Sequence, residues 1–157
     1  MKKTLSIFLA IVSMSLFSAN TDNHTVTVSV SAINELALSA ATLLTLTINA
    51  ATAGSEPTAT TDTSRTVSWT TNEASKKITV ASGAIFSNST LKVLATSVSG
   101  GSAASQVTLS TTATDFVTGV GSNTGSATLS YEASATAAQG TTGDSTVTIT
   151  YTLAASA

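Results

Sequence analysis

Apolar and polar residues alternate with a period of two along most of this chain. Val26, Val28 and Val30 fall on one side, with Thr25, Thr27, Ser29 and Ser31 on the other. Leu44, Leu46 and Ile48 repeat the pattern against Thr45 and Thr47. Val67 and Trp69 follow, then Ile78 and Val80, Leu91, Val93 and Ala95, and Val107 and Leu109. Ala127, Leu129 and the neighbours of Tyr131 come next, and Val147, Ile149, Tyr151 and Leu153 close the series. A period of two places one set of side chains on each face of a strand, so these segments predict about eight half-buried β-strands.

Turn-forming clusters separate them: 53–57 with its Gly-Ser-Glu-Pro run, 71–73, 82–83, 99–102, 119–125 and 139–144. No segment beyond the N-terminal leader has convincing helical periodicity. The Ala-rich stretch 133–138 has room for a turn of helix, but Ser134, Thr136 and the following glycine favour a strand running into a loop. Antiparallel strands with one apolar face each bury those faces against one another, so the expected fold is an all-β, two-sheet antiparallel sandwich.

The N-terminus reads differently. Lys2 and Lys3 precede an apolar run, Leu5 to Phe17, that ends in Ser18 and Ala19. It is shorter than a membrane span and has the form of a secretory signal peptide over 1–19, leaving 20–157 as a single β-sandwich domain. No cysteine follows the run, and no second apolar segment approaches membrane-spanning length. Secretion is therefore expected, to the periplasm, the cell surface or the medium, with no membrane insertion after cleavage.

Composition narrows the chemistry. The chain has no cysteine, so disulfides, thiol catalysis and cysteine-ligated zinc are excluded. Without Lys2 and Lys3, four cations face eight carboxylates, and a net charge of −4 disfavours nucleic acid and anionic membrane as partners. Charged residues make up 9% of the chain, against about 25% in ordinary globular proteins; Thr and Ser supply the missing polarity. A hydroxyl-rich, weakly charged sheet suits a protein held in a fibre or layer. It is also what an exported β protein acquires when Thr is its favoured polar strand residue.

Candidate catalytic groups are sparse. His24 is the sole histidine and lies near the mature N-terminus, which leaves no basis for a catalytic triad or a histidine zinc site. The carboxylates are spaced singly, mostly beside Thr, Ser, Asn or Gly, as turn and strand-end residues are. Glu73 and Glu132 are the pair that a glycosidase would need to bring together. No calcium-type loop is present, and no cofactor is expected. Trp69, Tyr131 and Tyr151 are the aromatics that a carbohydrate-binding module would use for stacking, but Trp69 and Tyr151 share phase with core residues, which favours packing. The repeated Thr-x-Thr steps suggest either a flat surface for ice or a crystalline polymer, or ordinary outward-facing threonine. Lys76 and Lys77 read as a solvated strand start that discourages edge-to-edge pairing.

Trp69-Thr70-Thr71-Asn72 leading into Lys76-Lys77-Ile78-Thr79, the segment Val107 to Thr111, Gly125 to Tyr131 with Ala133 to Thr136, and the closing run Thr146 to Leu153 together resemble secreted bacterial immunoglobulin-like sandwiches. These are related to fimbrial subunits of the spore-coat-U and chaperone-usher kind, and more loosely to cell-surface W-x-L domains. Trp69 is followed by Thr70 and Thr71, so the W-x-L tripeptide is absent and cell-wall binding does not carry over. The fimbrial resemblance implies assembly by donor-strand complementation, in which an extended N-terminal segment completes the sheet of the next subunit. The donor would be the segment within 20–31 bearing Val26, Val28 and Val30; the alternative is that this segment is the first strand of its own sandwich. The expected function is a non-catalytic structural subunit of an extracellular fibre, pilus-like filament, surface layer or matrix, partnered by itself or other surface proteins. A carbohydrate-binding or adhesive module is the alternative, with polysaccharide as its ligand.

Overall fold

A computed structural model describes residues 20–156. Residues 1–19, the expected signal peptide, lie outside the described residues. The chain divides into two units, one ending at Val30 and one starting at Ser31.

The second unit is all-β, with two antiparallel sheets. Strands β1 (Asn34–Leu38), β2 (Thr60–Thr71), β8 (Asn123–Ser134), β4 (Thr90–Ser99) and β6 (Val107–Thr108) form the first sheet in that order. Strands β5 (Ser102–Ala103), β7 (Thr114–Val120), β3 (Lys76–Ser82) and β9 (Ile149–Ala155) form the second. Among the described residues the remaining regular element is one turn of 3-10 helix, Ala137–Gln139, in the Ala-rich stretch.

Alternation explains the packing. Val67 and Trp69 on β2, Val93 and Ala95 on β4, and Ala127, Leu129 and Tyr131 on β8 turn the same way. They meet Ile78 and Val80 on β3 and Phe116, Val117 and Val120 on β7 in one apolar cluster between the sheets. A shared core between two facing sheets is the arrangement of a β-sandwich. The closest packing is at Trp69, whose registered neighbour across the β2–β8 ladder is Gly125. A Cβ on Gly125 would lie 2.4 Å from the indole and from the Ser99 carbonyl, so only glycine fits there.

The long strands give the sandwich an axis. Thr71 pairs with Asn123 at what we term the upper end of β2–β8, and Thr60 pairs with Ala133 at the lower end. β1 occupies only the upper half of the β2 edge, from Asn34 opposite Thr71 to Leu38 opposite Val67. Just before β1, Ile33 N–H donates to Asn72 Oδ1 (2.8 Å), and Asn72 Nδ2 donates to the Ser31 carbonyl (2.8 Å). The second unit therefore begins at the upper end. β9 runs from Ile149, opposite Ser82, up to Ala155, opposite Lys76.

Two expectations change. Val26 to Val30 and Leu44 to Ile48 alternate but belong to no strand, while β1, β5 and β7 are strands outside the expected eight. Lys76 and Lys77 begin β3, which lies inside its sheet between β7 and β9, so they guard no edge. Their cations pair with Glu73 (3.0 Å) and Asp115 (2.9 Å). Glu73 lies beyond the upper end of β2, whereas Glu132 pairs with Thr61 near the lower end, and the two carboxylates do not share a site.

Candidate strand-acceptor groove

Below Leu38 the chain leaves the β1–β2 ladder but continues downward along it. Ser39 N–H donates to the Thr66 carbonyl (2.9 Å), and Arg65 reaches across to hold the next residues. Its Nη1 donates to the Ala40 carbonyl (2.8 Å) and to Thr42 Oγ1 (3.2 Å), and its Nη2 donates to the Leu43 carbonyl (3.1 Å). From there Leu44, Leu46 and Ile48 are half-buried while Thr45 and Thr47 are exposed, so the segment keeps a strand's alternation without a ladder. It reaches the lower end, where the Ala51 and Pro57 bridge folds the chain back into β2.

The opposite wall is the approach to β9. Val147 and Ile149 are half-buried between exposed Thr146, Thr148 and Thr150. Gly83 N–H donates to the Thr148 carbonyl (2.8 Å), extending the pairing with the β3 side beyond the strand proper. β9 has β3 as its one ladder partner and is the edge of its sheet.

Between these walls lies a groove of about 880 Å³, lined toward its upper end by Leu38, Arg65 and Leu129, further down by Leu91, Tyr131 and Ala133, and by Phe86 and residues 140–145. Two extended, alternating segments thus flank a hollow with apolar side chains turned into it. An edge strand with free backbone groups and an apolar trough is the feature to which an extended peptide adds as a further strand.

Arg65 is the cation of this site. It makes three hydrogen bonds to neutral oxygens, whereas the ion pairs among the described residues all use lysines. Its Nε is buried without an acceptor. Asp62 is nearby, but its carboxylate takes the N–H and hydroxyl of Ser64 (2.9 and 2.7 Å). Those bonds hold its pKa below the ordinary value, with a smaller contribution from the charge of Arg65.

The aromatics belong to the packing. Trp69 is 3% exposed and Tyr131 7%. Tyr151 is half-buried with its ring edge-on to Phe116 at 5.3 Å. A stacking platform needs a free ring face, and these positions fit core packing instead. His24 lies in the exposed N-terminal unit. Among the described residues no three acidic, histidine or cysteine side chains cluster in a way that would hold a metal ion, and no helix is long and apolar enough to cross a membrane.

Val26, Val28 and Val30 are 68%, 82% and 77% exposed. Three valines on one face of an unpaired segment are an unsatisfied apolar strip, and they match in number and spacing the Leu44, Leu46 and Ile48 wall. Sequence reasoning found the strip and missed the groove. The signal was present in the second alternating run, 44–48, which ordinary strand criteria do not distinguish from a paired strand. Compared with protein-family models and with curated proteins, the chain matches none of them.

Proposed function

We propose that this chain is a secreted, non-catalytic structural subunit of an extracellular fibre, an immunoglobulin-like sandwich that lacks one strand and receives it from a second copy. The observation that carries the reading is the pairing of an open groove between 44–48 and β9 with an exposed Val26, Val28, Val30 strip of the same periodicity. Inserted there, the valines would leave water while the strand's backbone groups paired with the free edge of β9. At about 25 cal/mol per Å² of apolar surface, each valine would contribute on the order of 1.5 kcal/mol or more.

Chain length argues for exchange between copies. Ser31 is fixed at Asn72, at the upper end of β2, and Arg65 at the top of the groove lies seven residues further down that strand. That is about 24 Å. Val26 is five residues from Ser31 and extends about 17 Å at most, and Val30 is adjacent to it. The valines of one chain fall short of the Leu44 to Ile48 wall of its own groove, which begins below Arg65. An exit at one end and an acceptor groove toward the other make a heterologous, head-to-tail contact, which propagates as an open filament. A polysaccharide-binding reading has less support, because the candidate stacking rings are packed in the core.

The test compares residues 20–157 with residues 32–157 by solution mass and electron microscopy. Filaments or stable high-order oligomers from the first and monomers from the second are expected. Equal assembly of both would overturn the reading.

A further inference from the structure

We infer that an ion pair between Asp22 of one copy and Arg65 of the next sets the register and direction of the donated strand. This rests on the donor-strand reading and adds what that reading leaves open, namely which residue meets which.

Direction follows from the pairing. The donor segment leaves its own body at Ser31, and the groove it enters is lined toward its upper end by Leu38, Arg65 and Leu129. Antiparallel addition to β9, the more stable pairing per residue, leaves Val30 lowest and carries residues 20–25 toward the top. The donated strand then runs downward, antiparallel to the upward-running β9 and parallel to the 40–48 wall.

Register follows from the apolar faces. Setting Val26, Val28 and Val30 level with Leu44, Leu46 and Ile48 is an offset of eighteen residues, and it keeps every even-numbered donor residue facing the groove. The same offset sets His24 level with Thr42 and Asp22 level with Ala40. Ala40 and Thr42 are residues that the Arg65 guanidinium holds. A two-residue slip in either direction keeps the valines inward, so apolar matching alone leaves neighbouring registers close in energy. At this offset the donor's carboxylate falls level with Ala40, which Nη1 holds at 2.8 Å; an offset of twenty sets it level with Thr42, held at the longer 3.2 Å, and an offset of sixteen carries it up to Leu38, beyond the residues the guanidinium holds.

The guanidinium has the donors to receive it. Of its five N–H groups, three serve Ala40, Thr42 and Leu43. Nε and the second hydrogen of Nη2 remain, and together they form the edge that a carboxylate grips with two parallel bonds. A part-buried charge with an unmet Nε–H is costly, and Asp62, the neighbouring carboxylate, is engaged by Ser64. Asp22 is exposed and accepts from the N–H of Asn23 next to it.

The cysteine-free chain makes the register measurable by disulfide trapping. A Thr27→Cys, Thr45→Cys double variant of residues 20–157 is expected to form oxidised ladders between copies, and Thr27→Cys, Leu43→Cys far fewer. Adding Asp22→Lys should lower the 27–45 link about tenfold or more, with links at 27–43 rising, while Asp22→Glu keeps it. Asp22 is exposed and belongs to the first unit, so this substitution is expected to leave the sandwich intact. An unchanged 27–45 link with Asp22→Lys, in chains that still assemble, overturns the ion pair and leaves the donor strand standing. Monomers without links at either position overturn the donor-strand reading and the ion pair with it.

Discussion

Tyr131 and Tyr151, the two tyrosines of the chain, meet hydroxyl to hydroxyl at 2.8 Å across the sandwich, one from β8 in the first sheet and one from β9 in the second. The bond ties the edge strand β9 to the central strand β8 beside the floor of the groove. Removing one hydroxyl leaves the other without its partner in a poorly hydrated place. Tyr151→Phe or Tyr131→Phe should therefore each cost about 1–2 kcal/mol, and the double variant less than the sum of the two. Urea denaturation of the three variants measures the coupling.

The same pair sets an alkaline limit. Burial pushes both phenols above their ordinary pKa; at Tyr131 the bond to Tyr151 offsets part of the rise, and at Tyr151 the Tyr131 charge and bond add to it. The folded state holds these protons more tightly than the unfolded chain, whose tyrosines titrate near 10. The contribution is complete below about pH 10 and is lost as the pH rises beyond it, because only the unfolded state then ionises. Tyrosinate absorbance should appear together with loss of structure above pH 10. Titration of either tyrosine in a chain that keeps its β-sheet circular dichroism would show that burial does not govern the pair.

Gly125 offers a sharper test of the core. An alanine there would place a methyl group against the Trp69 indole and the Ser99 carbonyl, both held by the β2–β8 and β4–β8 ladders. Gly125→Ala should destabilise by about 1–3 kcal/mol or more through overpacking. Trp69 is the sole tryptophan, so its fluorescence reports the unfolding directly. Because the Trp69 Nε1 is buried without a partner, Trp69→Phe removes an unmet donor along with ring area. It should cost less than the about 3–5 kcal/mol expected for Trp69→Ala.

How much of this was legible in the sequence depends on what alternation reports. It marks β2, β3, β4, β8 and β9 because each buries one face and wets the other. β7 escapes it because Phe116 and Val117 are adjacent and both buried; the β3–β7 register shifts break the period of two. β1, Asn-Glu-Leu-Ala-Leu, turns only Leu36 against the core and gives almost no signal. At 26–30 and 44–48 the period is clear and the strands are absent. Alternation states that a segment suits a half-buried sheet, and it is silent about whether its partner is in the same chain. Those two segments are the strip proposed as donor and one wall of the groove proposed to accept it. The groove itself depends on where β1 stops against β2, a register that no local pattern encodes.

In the proposed assembly donation and acceptance lie on different residues, and this separates them experimentally. Val28→Lys puts a charge on the strip and leaves the groove whole, while Leu46→Lys puts a charge in the groove wall and leaves the strip whole. Burying an unpaired ammonium costs several kcal/mol, so each variant alone should remain monomeric at concentrations where the unaltered chain is expected to form filaments. A mixture of the two has one competent strip, on the Leu46→Lys chain, and one competent groove, on the Val28→Lys chain. Each pair can form one contact and cannot extend it, so the mixture should stop at dimers. Sedimentation velocity of the separate and mixed variants distinguishes the cases. An isologous dimer, in which the same patch serves both copies, would be weakened in the mixture as well and would never be restored by mixing.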